Sequence, residues 1–164
     1  MKYILILLAI ITGTAFANES VKENPTSQFP YVSLGIGPAP VPLPVFGVGY
    51  RAQWGHHGVN ALVNASTVYY ITGVKGSVLY NYYFKPNLDS QFYFGVGPAV
   101  GGLFSNKRAH GYGGAAEFSF GKQYRNQTGD VRFFEAEFDF PLVVDHKPHF
   151  VAYPVVVLNY GIGF

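Results

Sequence analysis

An all-β fold, an eight-stranded antiparallel up-and-down transmembrane β-barrel, is what three features of this sequence predict. Apolar and polar residues alternate with period two over eight segments, each bounded by Gly, Pro, Asn or Asp, so each strand has one greasy and one polar face. Charged residues make up 12% of the chain against 18% aromatic, with 20 glycines. That is about half the charge fraction of a soluble domain, too little to cover the protein in water. Beyond Ala17 no stretch approaches the roughly 18 consecutive apolar residues of a spanning helix. An apolar exterior without spanning helices points to a closed barrel, which pairs its backbone amides internally.

Residues 1–17, "MKYILILLAIITGTAFA", read as a cleaved signal peptide. Lys2 precedes an apolar run from Ile4 to Ile11, Gly13 breaks it, and Ala15-Phe16-Ala17 has the small-x-small form of a cleavage site. Residues 18–29 are polar and proline-punctuated, and are expected to be a disordered periplasmic lead-in to a barrel over 30–164. With no cysteine, disulfides, thiolate chemistry and a bacterial lipid anchor are excluded. A net charge of +2, with no basic run longer than Lys107-Arg108, leaves no footprint for nucleic acid.

The strands follow in order. "YVSLGIG" from Tyr31 is the short first one, and "VFGVGYRAQW" from Val45 the second. "GVNALVNAS" from Gly58 and "GVKGSVLYNYYF" from Gly73 follow, then "QFYFGVGPAV" from Gln91 and "GYGGAAEFSFG" from Gly111. "VRFFEAEFDF" from Val131 precedes a last strand from about Phe150 to Phe164. Most have at least the roughly 9 residues that a tilted strand needs to cross a bilayer. On the clearest strands one face carries Phe46, Val48, Tyr50, Trp54, Val74, Val78, Tyr80, Tyr82, Phe134, Phe138 and Phe140. The other carries Arg51, Gln53, Lys75, Ser77, Asn81, Glu117, Ser119, Glu135, Glu137 and Asp139. Arg132 alone among the strand charges points with the aromatics, one residue from a strand end where it can snorkel.

Aromatics at strand ends mark two rims. One holds Tyr31, Trp54, Phe84, Phe92, Phe120 and Phe164, and the other Phe46, Tyr69, Tyr70, Tyr112, Phe140 and Tyr153, as a lipid-facing girdle requires. Pro38, Pro98, Pro141 and Pro154 lie near the second rim and mark where pairing ends or a bulge intervenes. The soluble alternative is a secreted lipocalin-like ligand-binding barrel with its apolar face inward. Its exterior would be glycine, asparagine and six charges, which is a poor aqueous surface.

Cleavage site, eight alternating strands, glycine-rich inward faces and a terminal "YGIGF" together resemble the small eight-stranded bacterial outer-membrane β-barrels of the OmpA and OmpX type, over Tyr31 to Phe164. The resemblance implies residence in the bacterial outer membrane, among its lipid and lipopolysaccharide. It also implies that Leu158, Tyr160, Ile162 and Phe164 form a signal read by the outer-membrane assembly machinery.

The lumen is expected to be filled and non-conducting, because eight strands enclose an interior only wide enough for side chains. Arg51 and Lys75 project into it with Glu117, Glu135, Glu137 and Asp139, while Gly47, Gly49, Gly95 and Gly113 leave room. Unpaired charges there would be heavily penalised, so these six are expected to form one charge network. No cofactor, metal or catalytic residue is expected, and the role is structural or surface-interacting. The alternative is a lipid A-modifying acyl hydrolase or acyltransferase. Ser105 and His110 share one loop at the second rim, and Asp145, His146 and His149 share another, though no His-x-Ser motif is present. His56-His57 lacks a nearby third metal ligand, and "NQT" at Asn126 matches a glycosylation site by letters only.

Overall fold

The computed structural model describes residues 27–37, 42–68, 71–86, 89–105, 111–126, 128–145 and 155–164. The expected signal peptide at 1–17, and residues 18–26 of the expected lead-in, lie outside them. Eight strands account for nearly all of the described chain: β1 (Ser27–Gly37), β2 (Leu43–Trp54), β3 (His57–Val68), β4 (Ile71–Tyr83), β5 (Ser90–Ser105), β6 (Gly111–Arg125), β7 (Val131–Asp145) and β8 (Val155–Gly163). Each is antiparallel to the next, and β8 returns to β1 to close an up-and-down barrel. Among the described residues no helix is long and apolar enough to cross a membrane.

Register fixes the barrel's dimensions. Leu34 pairs with Phe46, and the line continues through Ala65, Val74, Gly102 and Tyr112 to Asp145. Stepping the other way round, Leu34 pairs with Tyr160 and Tyr160 with Phe134. The two routes meet β7 eleven residues apart, at positions 145 and 134, or ten once the extra residue of the register shift beside Gly114 and Ala115 is set aside. A closed sheet with that stagger has steeply tilted strands, by roughly 40°, and a narrow interior.

The rim holding the start of β1 and the end of β8 is here the lower rim. It carries the turns after β2, β4 and β6. Gly55 (φ 55°) and Gly129 (φ 93°) occupy two of these turns in the left-handed region that side chains disfavour.

Strand faces follow the predicted alternation. Phe46, Val48, Tyr50, Phe92, Phe94, Phe134 and Leu158 are exposed, whereas Arg51, Asn81, Glu117, Ser119, Glu135 and Glu137 are buried. Among the described residues 26 large apolar side chains are exposed, while Arg51 and four carboxylates, Glu117, Glu135, Glu137 and Asp139, are buried. This polarity overturns the lipocalin-like arrangement, in which the apolar face would line the interior.

Other expectations need correction. β1 starts at Ser27, so residues 27–29 belong to the barrel rather than the lead-in, because Phe29 is buried inside it. Tyr31 is buried too and lines the lumen instead of the lower girdle. The last strand is described from Val155, and residues 150–154 lie outside the described chain, as do Pro38, Pro154, Tyr69, Tyr70 and Tyr153. Pro98 sits within β5, paired to Ala116 of β6. On its other side the ladder to β4 skips from Ser77↔Ala99 to Tyr80↔Val96, since proline has no N–H to give. Pro141 lies within β7 beside the register shift.

Several inward aromatics lie across a glycine of the adjacent strand. Tyr31 pairs with Gly49, Tyr93 with Gly121 and Phe133 with Gly161. In each case a Cβ added to the glycine would run into the paired ring. The glycine is thus the floor on which the ring rests, an arrangement that fills the lumen and covers the bare backbone. Gly161→Ala should therefore destabilise the refolded barrel by about 1–3 kcal/mol in urea unfolding, the usual cost of overpacking. Adding Phe133→Leu should recover part of that loss, and strict additivity of the two changes would refute the packing argument.

Candidate functional site

The lumen is where the chemistry-bearing side chains converge, and it has two layers. The lower layer is aromatic. Phe29, Tyr31, Tyr83, Tyr93, Val131 and Phe133 are all buried, with Tyr31 edge-on to Phe133 at 4.9 Å and Tyr83 against Tyr93 at 5.5 Å between ring centroids. Below them Gln53 donates to Gln91 Oε1 (3.0 Å), and Gln91 to the Pro86 carbonyl (2.9 Å), which ties the plug to the turns. Arg125 donates to Ser27 Oγ across the same rim.

Arg51 sits in the middle of this layer with 0% exposure. Its Nη2 is 3.2 Å from Glu135 Oε2, and its guanidinium carbon lies 4.4, 4.6 and 5.4 Å from the ring centroids of Phe133, Tyr93 and Tyr31. One carboxylate and three ring faces replace the water that this cation has lost. Tyr31 donates in turn to Asn60 Oδ1 at 2.8 Å, which holds its ring in place.

The upper layer is ionic. Lys75 Nζ is 2.7 Å from Glu137 Oε2, 3.0 Å from Glu117 Oε2 and 3.0 Å from Asp139 Oδ2. Asn64 donates to Glu137 Oε2 at 3.1 Å, and Asn159 donates to its other oxygen. Side-chain exposure is 18% for Lys75 and 13% for Asp139, against 0% and 1% for Arg51 and Glu135. The lysine cluster is thus partly exposed, and the arginine pair is sealed.

All six residues expected in the lumen point inward, but they form two groups rather than one network. Arg51 pairs with Glu135, while Lys75 gathers Glu117, Glu137 and Asp139. Sequence reading missed the aromatic plug and the asparagines beside the ions. The trace of the plug was present, since Tyr83, Tyr93 and Phe133 occupy polar-face positions and so violate the alternation of their own strands.

The other candidates fare differently. Among the described residues no group of three or more His, Cys, Asp or Glu side chains is placed to hold a metal. His56 Nδ1 lies 2.7 Å from the Tyr83 carbonyl and His57 Nδ1 2.5 Å from the Tyr80 hydroxyl, and both rings pack on Tyr82. They are turn and girdle residues. Ser105 ends β5 and Asp145 ends β7, whereas His110, His146 and His149 lie outside the described residues.

No protein-family model matches the sequence, and none of the curated proteins matches it. Solved structures do match in fold. Neisserial surface protein A superposes with a TM-score of 0.67 at 7% identity, over 86% of this chain and 98% of that one. The fold is that of the small eight-stranded outer-membrane barrels. The N-terminal β-barrel domain of Pseudomonas aeruginosa OprF gives 0.58 at 14% identity, covering 86% of this chain and all (100%) of that one. Ail, the attachment invasion locus protein of Yersinia pestis, gives 0.56 at 14%, covering 83% and 95%.

Arg51→Ala strips the partner from a fully buried carboxylate, and should lower stability in urea by about 3–5 kcal/mol. Arg51→Ala combined with Glu135→Gln should recover part of this, because the orphaned charge is gone. Unchanged stability of the single variant would show that the pair contributes nothing.

Proposed function

We propose that the protein is an integral protein of the bacterial outer membrane, exported through the leader at 1–17, with a structural or surface-interaction role and a lumen that does not conduct. The observation that carries this is the inverted polarity of the wall. Large apolar residues such as Val48, Phe94, Val100 and Leu158 are exposed all around it, while Arg51, Glu117 and Glu137 are wholly buried. A surface of this kind is stable against lipid and costly in water. Girdle aromatics support the reading, with Phe84, Phe92 and Phe164 exposed near the lower rim and Phe104, Tyr112 and Phe140 towards the upper.

The filled interior supports the absence of conduction. Eight strands leave room only for side chains, and the aromatic plug with Arg51 occupies that room. Outer-membrane lipid and lipopolysaccharide are the surroundings that the apolar wall fits. Leu158, Ile162 and Phe164 are exposed along one side of β8 with Tyr160 half-buried among them, as recognition by the assembly machinery would require.

Three measurements test the reading. The mature chain should fractionate with outer membranes and resist carbonate extraction, and recovery as a soluble periplasmic protein would refute it. Purified protein in planar bilayers should show no steady conductance, whereas a large and constant current would mean an open lumen. Lipid A should have the same mass with and without the protein, and a change of one acyl chain abolished by His110→Ala or His149→Ala would instead establish an enzyme. Separately, Phe164→Asp should accumulate in the periplasm and be degraded, and normal insertion of that variant would remove the assembly role from this row.

A further inference from the structure

Lys122 and Arg132 are strand charges that face outward, and they are neighbours. Lys122 lies in a lateral row that runs Phe92, Lys122, Phe134, Tyr160 across β5 to β8, and Arg132 lies in the row below, between Tyr124 and Ile162. Register makes the two cations diagonal partners across β6 and β7, with side chains rooted about 7–8 Å apart. Both sit close to the lower ends of their strands.

Two like charges set side by side on an apolar wall repel, so their juxtaposition needs an explanation. No ion pair to a carboxylate relieves either of them among the described residues, whose ion pairs all lie in the lumen. Rings offer partial relief, since Lys122 Nζ stands 4.9 Å from the Phe92 centroid and 4.8 Å from that of Tyr124. Arg132 opens into a groove of about 540 Å³ lined by Tyr124, Phe134 and Tyr160, a size within the usual range for small-ligand sites. The groove thus combines a planar cation, a nearby ammonium, two phenolic O–H groups and ring faces. That set suits one anionic oxyacid group attached to apolar chains: guanidinium and ammonium take the oxygens, phenols add donors, and the ring faces take hydrocarbon.

We propose that Lys122 and Arg132, with Tyr124, Phe134 and Tyr160, form a binding site for the phosphate of a membrane phospholipid in the leaflet at the lower rim. The site rests on the membrane location proposed above and adds to it a specific lipid contact, distinct from the general apolar belt. Occupancy places one negative charge between the two cations and turns a repulsive pair into a bridged one.

The test is native mass spectrometry of the full barrel released from detergent with added phosphatidylglycerol, alongside diacylglycerol, which has the same chains without the phosphate. The wild-type barrel should retain phosphatidylglycerol but not diacylglycerol. The double variant Lys122→Gln, Arg132→Gln should retain phosphatidylglycerol at least about tenfold less well, the weight of one charge-assisted contact, and Lys122→Arg should bind normally. Equal retention by wild type and double variant, or equal retention of the two lipids by wild type, overturns the site. Should the double variant not fold, the comparison of the two lipids on the wild-type barrel still decides. Flotation with phospholipid vesicles separates the premises: a wild-type barrel that fails to float overturns the membrane location and the site together, whereas one that floats and shows no preference overturns the site alone.

Discussion

Closure of eight strands with a stagger of ten residues is the constraint from which the rest of this structure follows. Closing the sheet pairs β8 with β1 and leaves no strand edge. It also fixes the interior at a width that one layer of side chains fills from all sides. Every inward residue then competes for the same small volume. Large ones need a glycine opposite, as Tyr31, Tyr93 and Phe133 have, and charged ones need a partner within reach, as Arg51 and Lys75 have.

The two ionic groups answer the same demand in different ways. Arg51 is sealed, and its delocalised cation is matched by ring faces as much as by Glu135. Lys75 is a compact charge that stays in partial contact with solvent and serves three carboxylates at once. The choice of residue fits each place, since a guanidinium stacks on aromatics and tolerates dehydration while an ammonium is strongly hydrated. The lumen thus has a sealed aromatic layer at Arg51 and a partly exposed ionic layer at Lys75.

Much of this was legible in the sequence because a barrel strand has a period of two and its two faces meet opposite environments. The sides of Phe46, Tyr50, Arg51, Glu135 and Asp139 could be assigned from alternation alone. Alternation could not separate the six charges into two groups, because which inward residues meet depends on the stagger, a property of all eight strands together. It also misplaced Tyr31, whose aromatic character suggested the girdle although its odd position agrees with the inward face of β1. The start of β1 was obscured by polar residues at 27 and 28, since an inward or rim position on this barrel tolerates them. The outward cations were harder still: Arg132 was visible as an exception, but its partnership with Lys122 exists only across the β6–β7 register.

The contacts between ring and glycine also bear on how such a sequence can change over generations. Gly161 cannot enlarge while Phe133 keeps its ring, and Phe133 cannot shrink without baring the backbone beneath it. Tyr31 with Gly49 and Tyr93 with Gly121 are bound by the same arithmetic. In this floor of the barrel what selection can hold constant is a sum of two volumes rather than the identity of either residue. Descendants of this sequence would be expected to exchange large and small across a strand pair, so that the two members drift together and never singly.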